Sequence, residues 1–163
     1  METKTLKEAI AVESRLLTEL LQVLERETIE MGDVNIAAMN HSNQTKEELI
    51  ARISGHSPLI QRAISEIAAH EGLSSNATLR TIAEFSAKRG NRELLATQKQ
   101  IQATAERIQQ VAALNREIAE RFAFSITSSL GLITRLINQS NVYGASGGYQ
   151  QRPASAVMIN REA

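Results

Sequence analysis

Apolar residues recur at spacings of three and four along most of the chain, the period of an α-helix with one buried face. The longest such pattern runs from Asn91 to Asn138, with Ile101, Ala105, Ile108, Ala112, Ala119, Phe122, Ile126, Ile133 and Ile137 on one side. It contains no proline and a single internal glycine, Gly131, so nothing halts a helix before the Asn138 region. At 1.5 Å per residue the pattern predicts a rod on the order of 70 Å long. Projected at roughly 100° per residue, the first half carries a narrow apolar stripe, and from Val111 onward the stripe widens. Val111, Leu114, Ile118, Phe122, Ile126, Leu130, Leu132, Ile133, Leu136 and Ile137 span an arc of roughly 160°, more than one neighbouring helix covers. The second half is expected either to pack against two helices of its own bundle or to offer one side to another chain.

The same period organises the N-terminal half. Leu6, Ile10, Leu17, Leu20, Leu21, Leu24 and Met31 make the apolar face of a first helix, capped by Thr3 or Thr5 and stopped by Gly32. Asp33 is the expected cap of a second helix, laid antiparallel to the first by the Gly32-Asp33 turn. That helix either continues to about Ser54 or breaks near His41 and restarts at Thr45-Lys46-Glu47-Glu48, which has the form of a capping box. Ser57-Pro58 either opens a new helix, with proline at its first position, or lies within a kinked continuation. Gly72 closes this stretch, residues 73–76 form a loop, and Ser75 or Asn76 caps a short helix bearing Leu79, Ile82, Ala83 and Phe85. After Asn138 the helical period is lost. Residues 139–163, rich in glycine, glutamine and serine, predict a flexible tail following a helical domain over residues 1–138.

Composition narrows the fold class. Aromatic residues make up 3% of the chain and tryptophan is absent, while Leu, Ile, Ala, Glu, Gln and Arg are plentiful, a mixture that favours helices over strands. The expectation is an all-α protein: an elongated antiparallel helical bundle or coiled coil with one very long C-terminal helix and a flexible C-terminal tail. Formal net charge is zero, from 18 basic and 18 acidic residues spread without blocks, which gives no support for nucleic-acid or membrane binding by bulk electrostatics. No cysteine occurs, so disulfides, thiolate metal sites and cysteine nucleophiles are excluded. Met1-Glu2-Thr3-Lys4-Thr5 leads directly into an amphipathic pattern, and no run reaches membrane-spanning length, which points to the cytoplasm and to no membrane insertion.

Chemistry is sparse. His41, His56 and His70 fall in separate segments, none with a second ligand at helical spacing, and read as surface or helix-end residues. Glu47-Glu48, and Glu117 with Glu120, read as solvated charges on helix faces rather than an acid/base pair, which needs a cleft. Gly144, Gly147 and Gly148 neither follow a strand nor precede a helix, unlike a phosphate-cradling loop. No catalytic constellation, metal site or cofactor site is expected, so an enzyme is not.

In combination, these pieces resemble the FlgN-type flagellar export chaperones. Glu27-Thr28-Ile29-Glu30-Met31-Gly32-Asp33 is similar to the end of the family's leucine-rich first helix, and Lys46-Glu47-Glu48-Leu49 to its following helix. Gly72-Leu73-Ser74-Ser75-Asn76-Ala77-Thr78-Leu79 is similar to a family connector, and Leu114-Asn115 to the Leu-Asn before its C-terminal half-helix. Tyr143-Gly144-Ala145-Ser146-Gly147 resembles the family's Tyr-Gly-x-x-Gly tail signature, and Ile159-Asn160-Arg161-Glu162-Ala163 its common ending. Departures occur at Ile118, where the family often has a second Asn, and at Ala145-Ser146, which replaces Ala-Asp.

The resemblance implies a chaperone that binds the C-terminal helices of hook-associated (hook–filament junction) proteins, prevents their premature polymerisation and delivers them to the export gate or its ATPase components. Client binding then falls to the second half of the long helix: Val111, Leu114, Asn115, Ile118, Phe122, Phe124, Ile126, Leu130, Ile133 and Ile137. Tyr143, Gly144 and Gly147 are the corresponding residues for docking at the gate. A different class, a helical scaffold or coiled-coil adaptor, would use the wide face as a homodimer seam when free. The broad arc, interrupted by Ser125 and Ser129, fits a narrow heptad seam less well.

Overall fold

The computed structural model describes the backbone of residues 2–140 and the side chains of residues 4–137. Among these residues there are four helices and no strand: α1 (Glu2–Gly32), α2 (Ile36–His70), α3 (Leu79–Lys88) and α4 (Glu93–Ser140). Thr3 and Thr5 lie inside α1 rather than capping it.

All three interhelical turns use one hydrogen-bond pattern. At the end of α2 the Leu73 N–H donates to the Ala68 carbonyl at 2.8 Å and the Gly72 N–H to Ala69 at 3.4 Å, with Gly72 at φ +64°. At the end of α3, Asn91 donates to Ser86 and Gly90 to Ala87, with Gly90 at φ +92°. These are Schellman caps, in which a residue in the left-handed region turns the last carbonyls onto following N–H groups. At the end of α1 the pattern recurs, Asn35 donating to Glu30 and Val34 to Met31, and the left-handed residue is Val34 at φ +53°. The sequence points to Gly32 as the stop, yet Gly32 is the last helical residue and a valine takes the glycine's role. Asn35 then caps α2, its side chain accepting from the Ala38 N–H at 3.1 Å, in place of the expected Asp33.

Helix α2 is unbroken through both doubtful regions. Thr45 caps nothing; its hydroxyl donates back to the His41 carbonyl at 3.1 Å from within the helix. Pro58 also lies inside α2, and it and Ser54, whose carbonyl loses a partner to the proline ring, are both exposed, so solvent reaches the vacated group. Leu49, Ile53, Ile60, Ile64 and Ile67 recur at spacings of three, four and seven, and the packing of that face overrides the local stop signals. The cap of α3 is Thr78, paired with Thr81 in a reciprocal capping box, rather than Ser75 or Asn76.

The chain divides into two units, Met1–Ala119 and Glu120–Ala163. In the first, α2 runs antiparallel to α1, and the opening part of α4 runs alongside α1 in the same direction. One core cluster joins Leu6 and Ile10 of α1 to Ala63, Ile64 and Ile67 of α2, Ile82 and Ala83 of α3 and Leu94 of α4. A second joins Leu16, Leu20, Val23 and Leu24 to Leu49 and Val111. Burying each large aliphatic side chain contributes about 1.5–3 kcal/mol, so these two clusters hold the unit together. Lys7 pairs with Glu93, and Arg107 with Glu25 at 3.5 Å, fixing α1 against α4 at two levels. Among the described residues no helix is long and apolar enough to cross a membrane.

Candidate functional site

The residues expected to bind a client divide between the two units. Val111 is buried in the second core cluster. Asn115, 4% exposed, lies at the centre of a polar knot. Its side-chain amide donates to the Leu24 carbonyl at 2.8 Å and to Glu27 Oε2 at 3.0 Å, while its Oδ1 accepts from the Thr28 hydroxyl at 2.6 Å. Lys46 of α2 donates to the other carboxylate oxygen of Glu27 at 2.5 Å. Buried polar groups are tolerated when their hydrogen bonds are made, and here three helices supply the partners. Val111 and Asn115 therefore turn inward, whereas the sequence expectation sets them on the client-binding stretch. Periodicity puts Val111 on the wide arc and the family resemblance adds Asn115, but the Glu27 and Lys46 that sustain a buried Asn115 come from other helices. Leu114 is exposed and Ile118 half-buried in the same unit.

The second unit differs in kind. Every described side chain from residue 121 to residue 137 is exposed. Phe122, Phe124, Ile126, Leu130, Ile133 and Ile137 are among them, as are Leu132 and Leu136, which complete the same arc. Exposure reaches 74% at Phe124, where a buried phenylalanine would be near zero. A run of helix in ordinary core would bury these residues, and single exposed apolar side chains are common, but seven of these eight share one arc and form a continuous apolar surface, with Phe124 on the opposite side of the helix. No charged residue lies between Phe122 and Thr134. What such a surface can do is bind: it offers apolar area and shape, with few groups for directed polar chemistry. Tyr143, Gly144 and Gly147 lie outside the described residues, as does the whole expected tail beyond Ser140.

In the first unit an open groove of about 420 Å³ is lined by α1, α2 and α4, with Leu20, Leu24, Met31, Ile50, Ile108 and Ala112 among its walls. Among the described residues no group of three or more His, Cys, Asp or Glu could hold a metal ion. His41 is exposed and His70 ends α2, 3.8 Å from Glu71. His56 is half-buried and donates from Nε2 to the Ala9 carbonyl at 2.9 Å. Beside it, burial pushes the Glu13 carboxyl above the usual carboxylate range, with the His56 charge pulling the other way.

A family model described as FlgN protein matches residues 1–151. No curated protein and no solved structure matches the chain.

Proposed function

The chain belongs to the FlgN family of flagellar export chaperones, and from that premise we propose that α4 from Phe122 to Ile137 is where it holds its clients. The clients are hook-associated proteins, engaged through their C-terminal helices in the cytoplasm before export. One observation carries the reading: eight large apolar side chains on this stretch are exposed while the first unit has two closed core clusters of its own. An amphipathic client helix laid along Phe122, Ile126, Leu130, Ile133 and Ile137 would cover that surface by helix-in-groove docking. Covering a polymerisation helix in this way keeps it from its own kind. Leu114 and Ile118 border the stretch in sequence and are secondary contacts in this reading; Val111 and Asn115 hold the bundle together instead.

Delivery to the export gate or its ATPase falls to Tyr143, Gly144 and Gly147, by resemblance to the family's tail signature. A tyrosine supplies apolar area and a hydroxyl at small conformational cost, which suits reversible docking. Tyr143→Ala should leave client binding intact and reduce secretion of the client; equal loss of both would refute this division of labour.

The direct test of the docking stretch is Ile126→Glu with Ile133→Glu. Both positions are exposed, so helicity by circular dichroism should be unchanged. Co-purification of a hook-associated client should be lost. Undiminished capture by a fully helical variant would place the docking face elsewhere. If instead the wild-type chain alone has twice its monomer mass in solution and the variant does not, the surface is a homodimer seam.

A further inference from the structure

We propose that the client encloses residues 122–134 of α4, packing on both sides of the helix rather than lying along one. The inference rests on the docking reading above and specifies the shape of the partner.

Successive residues on a helix are about 100° apart, which puts Phe124 roughly 160° from Ile126 and nearly opposite Ile133. Phe124 is also the most exposed large apolar side chain in the first or second unit, at 74%. A single client helix on the Ile126–Ile133 side leaves that ring in water. A second client segment on the Phe124 side takes that apolar area out of water.

The solvent side of an amphipathic helix carries charged groups; on the Phe124 side they stand only at the two ends of the stretch, Glu120 and Arg121 before it and Arg135 after it, and Phe122 to Thr134 has none. Its two threonines have spent their donors within the helix: Thr127 donates to the Ala123 carbonyl and Thr134 to the Leu130 carbonyl, each at 2.9 Å. Their methyl groups are left as the outward part, and covering them strands no hydroxyl donor. A helix resting on a membrane surface would carry a strongly charged polar face, which is missing here. The occupant is accordingly an uncharged, apolar pair of segments from one protein client.

The absence of native cysteine makes each face separately readable. Ser128→Cys places a thiol within about 40° of Phe124, and Ser129→Cys places one within about 40° of Ile133. Both swaps are close to isosteric. The measurement is the alkylation rate of each single-thiol protein, alone and saturated with a full-length hook-associated client. Enclosure is expected to slow both thiols about tenfold or more, as in the dry centre of an interface. Slowing at position 129 alone overturns enclosure and leaves one-sided docking standing. No slowing at either position, with client bound, overturns the docking reading itself. Both thiols already protected in a dimeric free protein would assign the two faces to a second copy and overturn the proposal.

Discussion

Val34 occupies a backbone conformation that costs an L-residue about 1–2 kcal/mol, most of all a β-branched one. Gly72 and Gly90 fill the equivalent positions at the other two turns, at φ +64° and +92°. Val34 is 57% exposed, so its side chain gains little from packing in exchange. Val34→Gly should raise stability by about 1 kcal/mol, read as a higher urea midpoint at constant slope. Glu13 is the second residue with an uncompensated cost, since its Oε2 is buried without a partner. Its folded pKa is raised above 4.5, so the folded chain holds that proton more tightly than the unfolded chain does. The favourable contribution is present below the unfolded value and is lost as pH rises through the folded value. Glu13→Gln should therefore raise the denaturation midpoint at neutral pH and change it little near pH 4. Neither cost is legible from sequence: a left-handed valine and a desolvated carboxylate exist only once α1 has met α2.

Among the elements, α1, the short α3 and the uninterrupted α4 follow from apolar period, and the antiparallel turn after α1 from the Gly32-Asp33 signal. The places where that reasoning misses are caps. Thr45-Lys46-Glu47-Glu48 and Ser57-Pro58 are sound local start signals, but α2 continues through both because its apolar face is worth more than a cap, which contributes about 1 kcal/mol. The register of α4 against α1 is likewise set by a contact no periodicity announces, Asn115 with Leu24, Glu27 and Thr28. Asn115→Ala should cost about 2–3 kcal/mol, because Glu27 Oε2 loses its partner while remaining buried; the Thr28 hydroxyl still reaches the Leu24 carbonyl. Replacing Glu27, Lys46 and Asn115 together by leucine should cost far less, or stabilise, since an apolar core needs no such pairing. Comparing the two thermal midpoints checks this. A triple variant as unstable as the single one would mean that the knot contributes net stability rather than alignment.

For the whole molecule, the stripe that widens at Val111 begins about three helical turns before the fully exposed stretch that opens near Phe122. Periodicity could not divide that stripe at Asn115, because burial of the amide depends on Glu27, 88 residues away in the sequence, which Lys46 of α2 pairs in turn. The family's own signature, Leu114-Asn115, thus mixes one exposed residue with one structural one. The charge-free run from Phe122 to Thr134 carries a thermodynamic corollary. An interface made of that stretch has almost no ion pairs to screen, so client affinity should be nearly flat between low and physiological ionic strength. It should instead carry a large negative heat-capacity change, readable by calorimetry at several temperatures. Grip of this kind slackens in the cold and tightens in sulfate.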